Sequence, residues 1–192
     1  AGADMDVYTT PWGFVNIVGV NASGEPIIYW QDGQTDDSGD YRWVCTNIAQ
    51  SELLTNDQTV PDWTSDIESY VTPWGGLNVA GIDSNGHVYV VWWSPASNGW
   101  ISSDLTSLTG TLGMVGSLST FVTEWGGITI TGLDEQGHMI ALWWAPGTDW
   151  QYTDMTTYLG AADFEQGSQF SFVTDDSKLI ITGLSKEGTV MF

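Results

Sequence analysis

Tyr70–Trp100, which reads YVTPWGGLNVAGIDSNGHVYVVWWSPASNGW, is the stretch on which the interpretation of the fold rests. Imperfect copies of it begin at Tyr8, at Phe121 and at Phe172. In every copy one glycine stands in the second apolar run and another follows five residues later in a turn. These two columns are Gly19, Gly81, Gly132 and Gly183, then Gly24, Gly86, Gly137 and Gly188. A period near 50 residues is typical of propellers and other repeat arrays.

The second copy predicts four short strands joined by tight turns. Pro-Trp-Gly-Gly and Asp-Ser-Asn-Gly are turn sequences, because Asp and Asn accept turn geometry and Gly supplies a positive φ. The residues between the turns are apolar, aromatic or β-branched, which is typical of strands covered on both faces. The predicted strands are Ser69–Thr72, Leu77–Ile82, His87–Trp93 and Trp100–Leu105 in the second copy, and Ile128–Leu133, His138–Trp144 and Trp150–Met155 in the third.

Four antiparallel strands in a repeat of this length are the layout of a β-propeller blade. We therefore predict an all-β fold with about 3.75 blades in a single domain, residues 1–192. The fourth copy ends in its third strand, and an open blade face is an aggregation hazard, so we expect another chain to complete the ring. The expected blades are residues 7–50 with a loop at 51–66, then 67–110, 119–160 and a partial blade at 169–192.

The first copy is 11 residues longer than the second. We predict that the extra residues form surface loops within Gln31–Tyr41 and Gln50–Asp66, where Pro61 discourages a strand.

Cys45 is the only cysteine, so no disulfide within the chain is possible. We expect Cys45 to be a small buried side chain at the end of a strand.

Charge is strongly one-sided, with 24 acidic residues against 3 Lys and Arg and a net charge of −21. Such a surface repels phosphate backbones and argues against nucleic-acid binding. The acidic residues serve either solubility or the attraction of a cationic partner.

No apolar run approaches the ~20 residues of a membrane span, so we expect no membrane insertion. The first residues, AGADMD, lack a signal-peptide pattern, and we interpret the initial Ala as a product of processing, which leaves secretion open.

Tryptophan is the residue type with the clearest functional potential. Neighbouring side chains on a strand point to opposite faces, so Trp92 and Trp93 cannot fill the same core. Each tryptophan either packs between blades or offers a flat face to a sugar at a blade junction, where repetition would add avidity. The candidate ligand-binding tryptophans are Trp74, Trp92, Trp93, Trp100, Trp125, Trp143, Trp144 and Trp150.

Two histidines, His87 and His138, share a column after the hairpin turn. They are either neutral residues flanking a turn or hydrogen-bond donors to a ligand, and two histidines one blade apart do not make a zinc site.

A loop that is rich in Gly and Ser carries four aspartates, Asp32, Asp36, Asp37 and Asp40. Clustered oxygen ligands suit calcium, but the spacing does not match an EF-hand, and a solvated loop is the alternative.

No catalytic residue and no cofactor are predicted. The chain shows no Ser, His and Asp in a triad order and no phosphate-binding glycine loop. The repeated Asp83 and Asp134 are explained by their positions in turns. Nearly equivalent blades also argue against a single asymmetric active site.

The second and third copies share a pattern of Trp-Gly, an apolar strand, an Asp turn, a pair of tryptophans and a last strand that begins with Trp. The residues that carry it are Trp74-Gly75, Leu77, Val79, Gly81, Asp83, Trp92-Trp93 and Trp100, then Trp125-Gly126, Ile128, Ile130, Gly132, Asp134, Trp143-Trp144 and Trp150. This repeat resembles that of the bacterial PLL-type propeller lectins. The first copy matches more loosely, with Asn21 in place of Asp and a single Trp30, and the fourth has Asp176-Ser177 in place of Trp-Gly. The resemblance implies a seven-bladed ring, secretion and glycan binding at blade junctions, although fewer than four blades depart from that plan.

The sequence thus favours a secreted, non-catalytic, lectin-like propeller that binds glycan and assembles with itself or with a complementary chain. One alternative is an assembly module of a surface or extracellular protein that binds no small ligand. A third hypothesis is a hydrolase that acts on glycans, which would need two carboxylates in one cleft.

Overall fold

The computed structural model describes residues 5–174 and 178–191. It contains four antiparallel sheets in succession along the chain, which we number blades 1 to 4. The sequence predictions about Asp176-Ser177 and about an end at Phe192 lie outside the described residues. The strands are β1 (Met5–Thr9), β2 (Val15–Val20), β3 (Pro26–Thr35) and β4 (Tyr41–Asn47) in blade 1; β5 (Glu68–Val71), β6 (Leu77–Ile82), β7 (Val88–Trp93) and β8 (Ile101–Asp104) in blade 2; β9 (Val115–Val122), β10 (Ile128–Leu133), β11 (Met139–Trp144) and β12 (Gln151–Asp154) in blade 3; and β13 (Phe170–Val173), β14 (Leu179–Leu184) and β15 (Val190–Met191) in blade 4.

Each blade is an up-and-down meander in which every strand pairs with the next one along the chain. The first strands of neighbouring blades contact one another, β1 with β5, β5 with β9 and β9 with β13, as the inner strands of a propeller do. The prediction of an all-β fold built from incomplete propeller blades is confirmed, and the arc of blades is open rather than closed. Among the described residues, no helix is long and apolar enough to cross a membrane.

Side chains that accept hydrogen bonds from backbone N–H groups stabilise the turns at both ends of the blades. Thr10, Thr72 and Thr123 each accept, through Oγ1, a hydrogen bond of 2.7 to 3.0 Å from the backbone N–H four residues further on. At the other end, Asp83 and Asp134 accept the N–H groups two and four residues further on through Oδ1. These short-range bonds explain why the turn sequences repeat with the strands.

The first glycine column is required by close packing. A Cβ on Gly81 would lie 2.9 Å from the indole of Trp63, and one on Gly132 would lie 2.8 Å from Sδ of Met114. In both cases the large side chain belongs to the segment that leads into the same blade. Gly183 of blade 4 lies equally close to Phe164, so in blades 2 to 4 the column leaves room for a large apolar side chain that packs against the second strand.

Strand β6 shows why the strands do not alternate between apolar and polar residues. All six of its residues are buried, because blades 1 and 3 cover its two faces. Leu77 and Val79 belong to the core shared with blade 1, and Ala80 and Ile82 belong to the core shared with blade 3. Alternate residues of β6 therefore lie on opposite faces of the blade.

The fourth strands of blades 2 and 3 are shorter than predicted. They end at an aspartate, and the next residue, expected to be in the strand, begins a five-residue helix. Each aspartate caps its helix by accepting the backbone N–H three residues further on, at 3.0 and 2.8 Å, and a left-handed glycine follows the last turn. The helices are α1 (Leu105–Thr109) after Asp104 and α2 (Met155–Leu159) after Asp154.

In blade 1, the two segments that were predicted to be loops contain regular structure. Within Gln31–Tyr41, strand β3 continues to Thr35 through an irregularity in its pairing with β4, and the turn is closed by Asp36. Within Gln50–Asp66, a π-helical turn over Ala49–Leu53 leads into a 3₁₀ turn over Leu54–Asn56. This segment is anchored by apolar side chains, since Leu53 and Trp63 are buried.

The prediction that Cys45 is buried is wrong. Cys45 lies on β4, the edge strand of blade 1, and is exposed. An edge strand is covered less than the inner strands, so its outward residues face solvent.

Candidate functional site

Two clefts of the same construction open between neighbouring blades. The first cleft lies between blades 1 and 2 and encloses about 360 Å³, and the second lies between blades 2 and 3 and encloses about 330 Å³. Four tryptophans at equivalent positions line each of them. The shared positions are Trp12, Asn16, Ile28, Trp30, Thr46, Leu77, Trp93 and Trp100 in the first cleft, and Trp74, Asn78, Val90, Trp92, Ser103, Ile128, Trp144 and Trp150 in the second.

The same aromatic pair forms one wall of both clefts. Trp12 meets Trp93 edge to face, with ring centroids 6.1 Å apart and an interplanar angle of 74°. Trp74 meets Trp144 in the same way, at 5.6 Å and 61°. Each pair joins the first turn of one blade to the third strand of the next, so a cleft needs two consecutive blades.

A second tryptophan in each cleft is held by its indole N–H. Trp30 donates to Thr46 Oγ1 at 3.2 Å, and Trp92 donates to Ser103 Oγ at 3.1 Å. These hydroxyls lie on the fourth strand of the same blade. Because the N–H is already engaged, the indole offers its apolar faces to a ligand in the cleft.

Trp92 and Trp93 point into different clefts. Trp93 lines the first cleft with blade 1, and Trp92 lines the second cleft with blade 3. The prediction that these neighbours occupy opposite faces is confirmed. One blade therefore contributes to two clefts with consecutive residues of one strand.

Not all the predicted tryptophans come together. Trp125 and Trp143 of blade 3 line neither cleft. Trp143 donates its N–H to Thr153 Oγ1 at 3.2 Å, which repeats the arrangement in the clefts. No described residue of blade 4 corresponds to Trp93 or Trp100, and Trp125 is 66% exposed.

The two predicted histidines lie away from both clefts. They follow the hairpin turns, whereas the cleft tryptophans stand at the other end of the third strand. His87 Nδ1 lies 2.8 Å from Asp104 Oδ2, and His138 Nδ1 lies 3.3 Å from Asp154 Oδ2. Each histidine thus contacts the aspartate that caps the helix of its own blade.

The cap aspartates have lowered pKa values. Partial desolvation raises the pKa of Asp104, but hydrogen bonds from the hydroxyl and the backbone N–H of Ser107, and the contact with His87, outweigh it and lower the pKa. The balance at Asp154 is the same, with Thr157 in place of Ser107 and His138 in place of His87. These carboxylates serve the fold of the blade.

The acidic loop of blade 1 is organised by its own contacts. Arg42 donates to Asp32, which keeps the pKa of that carboxyl low, and Asp36 accepts the backbone N–H groups of Ser38 and Asp40 at 2.8 and 3.1 Å. Across residues 5–174 and 178–191, no three His, Cys, Asp or Glu side chains converge to hold a metal ion.

The clefts differ in the residues at their rims. The first cleft has Phe14 where the second has Gly76, and it also includes the carboxylates of Asp32 and Glu52. The second cleft has no charged residue in its lining and includes Tyr70 at its base. Sequence reasoning missed Phe14 because the second and third copies have glycine at this position, and it missed Glu52 because that residue lies in the extra segment of the first copy.

No protein-family profile matches the sequence, and no curated protein matches it. A structure of AofleA from Arthrobotrys oligospora with three arginines replaced by alanine superposes with a TM-score of 0.62 and 15% identity, over 99% of this chain and 53% of that one. Unsubstituted AofleA gives 0.61 and 15%, over 98% and 53%. A fucose lectin from Kordia zhangzhouensis in complex with methyl-fucoside gives 0.47 and 14%, over 79% and 97%.

The chain spans about half the length of the AofleA structures that it matches. At 15% identity these superpositions show a shared fold.

Proposed function

We propose that this chain is a non-catalytic carbohydrate-binding propeller whose sugar sites are the two tryptophan-lined clefts. The observation that carries the proposal is their repeated lining, with four tryptophans at equivalent positions between blades 1 and 2 and between blades 2 and 3. Packing alone would bury these rings, but Trp12 and Trp74 are 47% and 46% exposed at the mouths of the clefts. Flat exposed indoles beside buried amides and hydroxyls suit a ring with one apolar face and several polar groups.

Each cleft combines the elements that a monosaccharide requires. Trp74 and Trp144 supply aromatic faces, and Asn78 supplies an amide at the base of the second cleft. A volume near 330 Å³ accommodates one sugar ring with room for its linkage. Repetition of weak sites along the arc adds avidity for branched or clustered glycans.

The test is a titration with methyl glycosides of fucose, galactose, glucose and mannose, together with a glycan array. We expect binding that Trp74→Ala weakens at least tenfold at the second cleft, since removal of an aromatic wall costs more than ~1.4 kcal/mol. Trp43→Ala is the matched control, because Trp43 is comparably exposed but lines neither cleft. Absence of binding in both assays would overturn the proposal in favour of an assembly module, and hydrolysis of a bound glycan would favour an enzyme.

The same proposal includes completion of the ring by a second copy or a complementary chain. Met5 at the free face of blade 1 is 68% exposed, whereas its counterparts Ile67 and Leu118 are 4% exposed between blades. Phe172 at the free face of blade 4 is likewise exposed, whereas Tyr8 and Tyr70 in its column are buried. Both free faces therefore carry apolar residues that a neighbouring blade covers elsewhere in the arc.

Native mass in solution tests this part of the proposal. We expect an assembly larger than the 20.9 kDa of one chain. A single species of that mass at all concentrations would overturn it. A secreted location belongs to the same proposal, and export of the protein from its natural source tests it.

A further inference from the structure

The first cleft differs from the second chiefly in charge. Glu52 and Asp32 line the first cleft, and no charged residue lines the second. Asp32 is balanced by Arg42, which donates to its carboxylate. Glu52 therefore supplies the unbalanced negative charge in this cleft.

Glu52 is placed there by a segment that blade 1 contains and that blades 2 and 3 lack. It belongs to the π-helical turn over Ala49–Leu53, where blades 2 and 3 have α1 and α2. A Cβ on Gly99 would lie only 2.8 Å from Oε2 of Glu52, so the carboxylate lies against the wall of the cleft beside Trp100. Within the described part of the chain, no donor makes a hydrogen bond to this carboxylate.

Aromatic faces surround the same space. Trp12 and Trp93 stand edge to face at the mouth, and Trp30 presents its faces because Thr46 holds its N–H. Indole faces attract cations, by about 0.5–1 kcal/mol at exposed sites and more when water is excluded. The net charge of −21 adds a field that concentrates cations near the protein.

We propose that the first cleft binds a ligand that carries an organic ammonium group, and that Glu52 pairs with this group. The inference rests on the proposed carbohydrate-binding function and names the chemical class for one of its two sites: a sugar with a free, protonated amine. The second cleft, with equivalent tryptophans and no carboxylate, binds a neutral sugar. The two clefts thus give one chain two specificities.

The experiment resolves the clefts by the indole N–H resonances of Trp30 and Trp92 in NMR titrations. The probes are methyl glucosaminide, its neutral counterpart methyl glucoside, and choline, which separates an ammonium without a sugar ring from an amino sugar. At the first cleft we expect methyl glucosaminide to bind about fivefold more tightly than methyl glucoside, the size of a partly exposed ion pair, with a preference that falls as salt rises. At the second cleft we expect no preference.

Glu52→Gln should remove most of that preference while it leaves binding at Trp92 unchanged. Glu135→Gln is the control, since it makes the same change in charge at an exposed site outside both clefts. Equal binding of glucosaminide and glucoside at Trp30, or an equal loss in both variants, would overturn the inference and leave the proposed function standing. Choline binding without binding of methyl glucosaminide would show a cation site and overturn the assignment to an amino sugar. Failure of all three probes would overturn the inference, whereas the proposed function is decided by the wider panel of glycosides and the glycan array.

Discussion

Asn16 donates a hydrogen bond of 3.0 Å to the hydroxyl of Tyr8 in the core between blades 1 and 2. One blade further on, the equivalent Asn78 donates instead to the backbone carbonyl oxygen of Tyr70, at 3.3 Å. The buried Tyr70 hydroxyl then has no hydrogen-bond partner among the described residues. Burial raises the pKa of Tyr8 to about 12 and raises that of Tyr70 as well. The same Asn and Tyr pair therefore gives the buried Tyr hydroxyl a hydrogen bond at the first junction but not at the second.

This difference predicts opposite results for two identical substitutions. Tyr8→Phe removes a hydrogen bond and leaves Asn16 buried without its acceptor, so we expect the free energy of unfolding to fall by about 1–2 kcal/mol. Tyr70→Phe removes a buried hydroxyl without a partner, so we expect stability to stay the same or to rise. Urea denaturation of both variants and the parent protein measures the difference, and an equal loss in the two variants would contradict it.

The glycine column predicts a graded cost of adding one methyl group. Gly81→Ala places a Cβ against the rigid indole of buried Trp63, whereas Gly132→Ala places it against the flexible ends of Met114 and Leu118. We expect Gly81→Ala to lower the free energy of unfolding by about 2–3 kcal/mol, near the upper end of the overpacking range, and Gly132→Ala to cost less. Thermal unfolding of the two variants gives the comparison. A larger loss for Gly132→Ala would show that Trp63 can move aside.

The repeat predicted the blades because each copy carries its own turn residues and, in blades 2 to 4, its own closely packed glycine. Asp83 fixes the hairpin of blade 2 through the N–H of His87, and Gly81 packs against Trp63 of the segment that leads into the same blade, so their recurrence reports the fold directly. The opposite placement of Trp92 and Trp93 follows from strand geometry alone. These features are local, and sequence reasoning found them.

Features that depend on long-range contacts were missed. Glu52 reaches the first cleft only because the π-helical turn brings it against Gly99, which lies 47 positions later in the sequence. His87 was proposed as a hydrogen-bond donor to a ligand, but it precedes β7, whereas Trp92 and Trp93 lie at the other end of that strand. The helix α1 was detectable, since Asp104 and Gly110 are a cap and a stop signal, yet Leu105 was read as the end of a strand.

The lowered pKa of Asp104 predicts how stability depends on pH. A carboxyl with a lower pKa in the folded state than in the unfolded state stabilises the fold above its unfolded value, about 4, and this contribution is lost as the pH falls through the lower folded value. Asp104→Asn should therefore cost about 1 kcal/mol at pH 7, as loss of a charged cap does, and the difference should vanish under acidic conditions. Asp37→Asn, at an exposed position, is the control. Unfolding measured from pH 2 to pH 7 tests this, and a difference that persists at pH 2 would contradict it.

The exposure of Phe172 predicts that a neighbouring chain contacts the free face of blade 4. It is 42% exposed on the free face of blade 4, in the column where Tyr70 is covered by the next blade. If a second copy covers this face, Phe172→Glu places a charge in an apolar contact, and we expect sedimentation to show the assembly dissociating at concentrations at least tenfold higher than for the parent protein. Leu108→Glu introduces the same charge at an exposed apolar residue on α1, away from both free faces, and should leave the mass unchanged. Equal dissociation in both variants would show that added charge, and not the free face of blade 4, controls assembly.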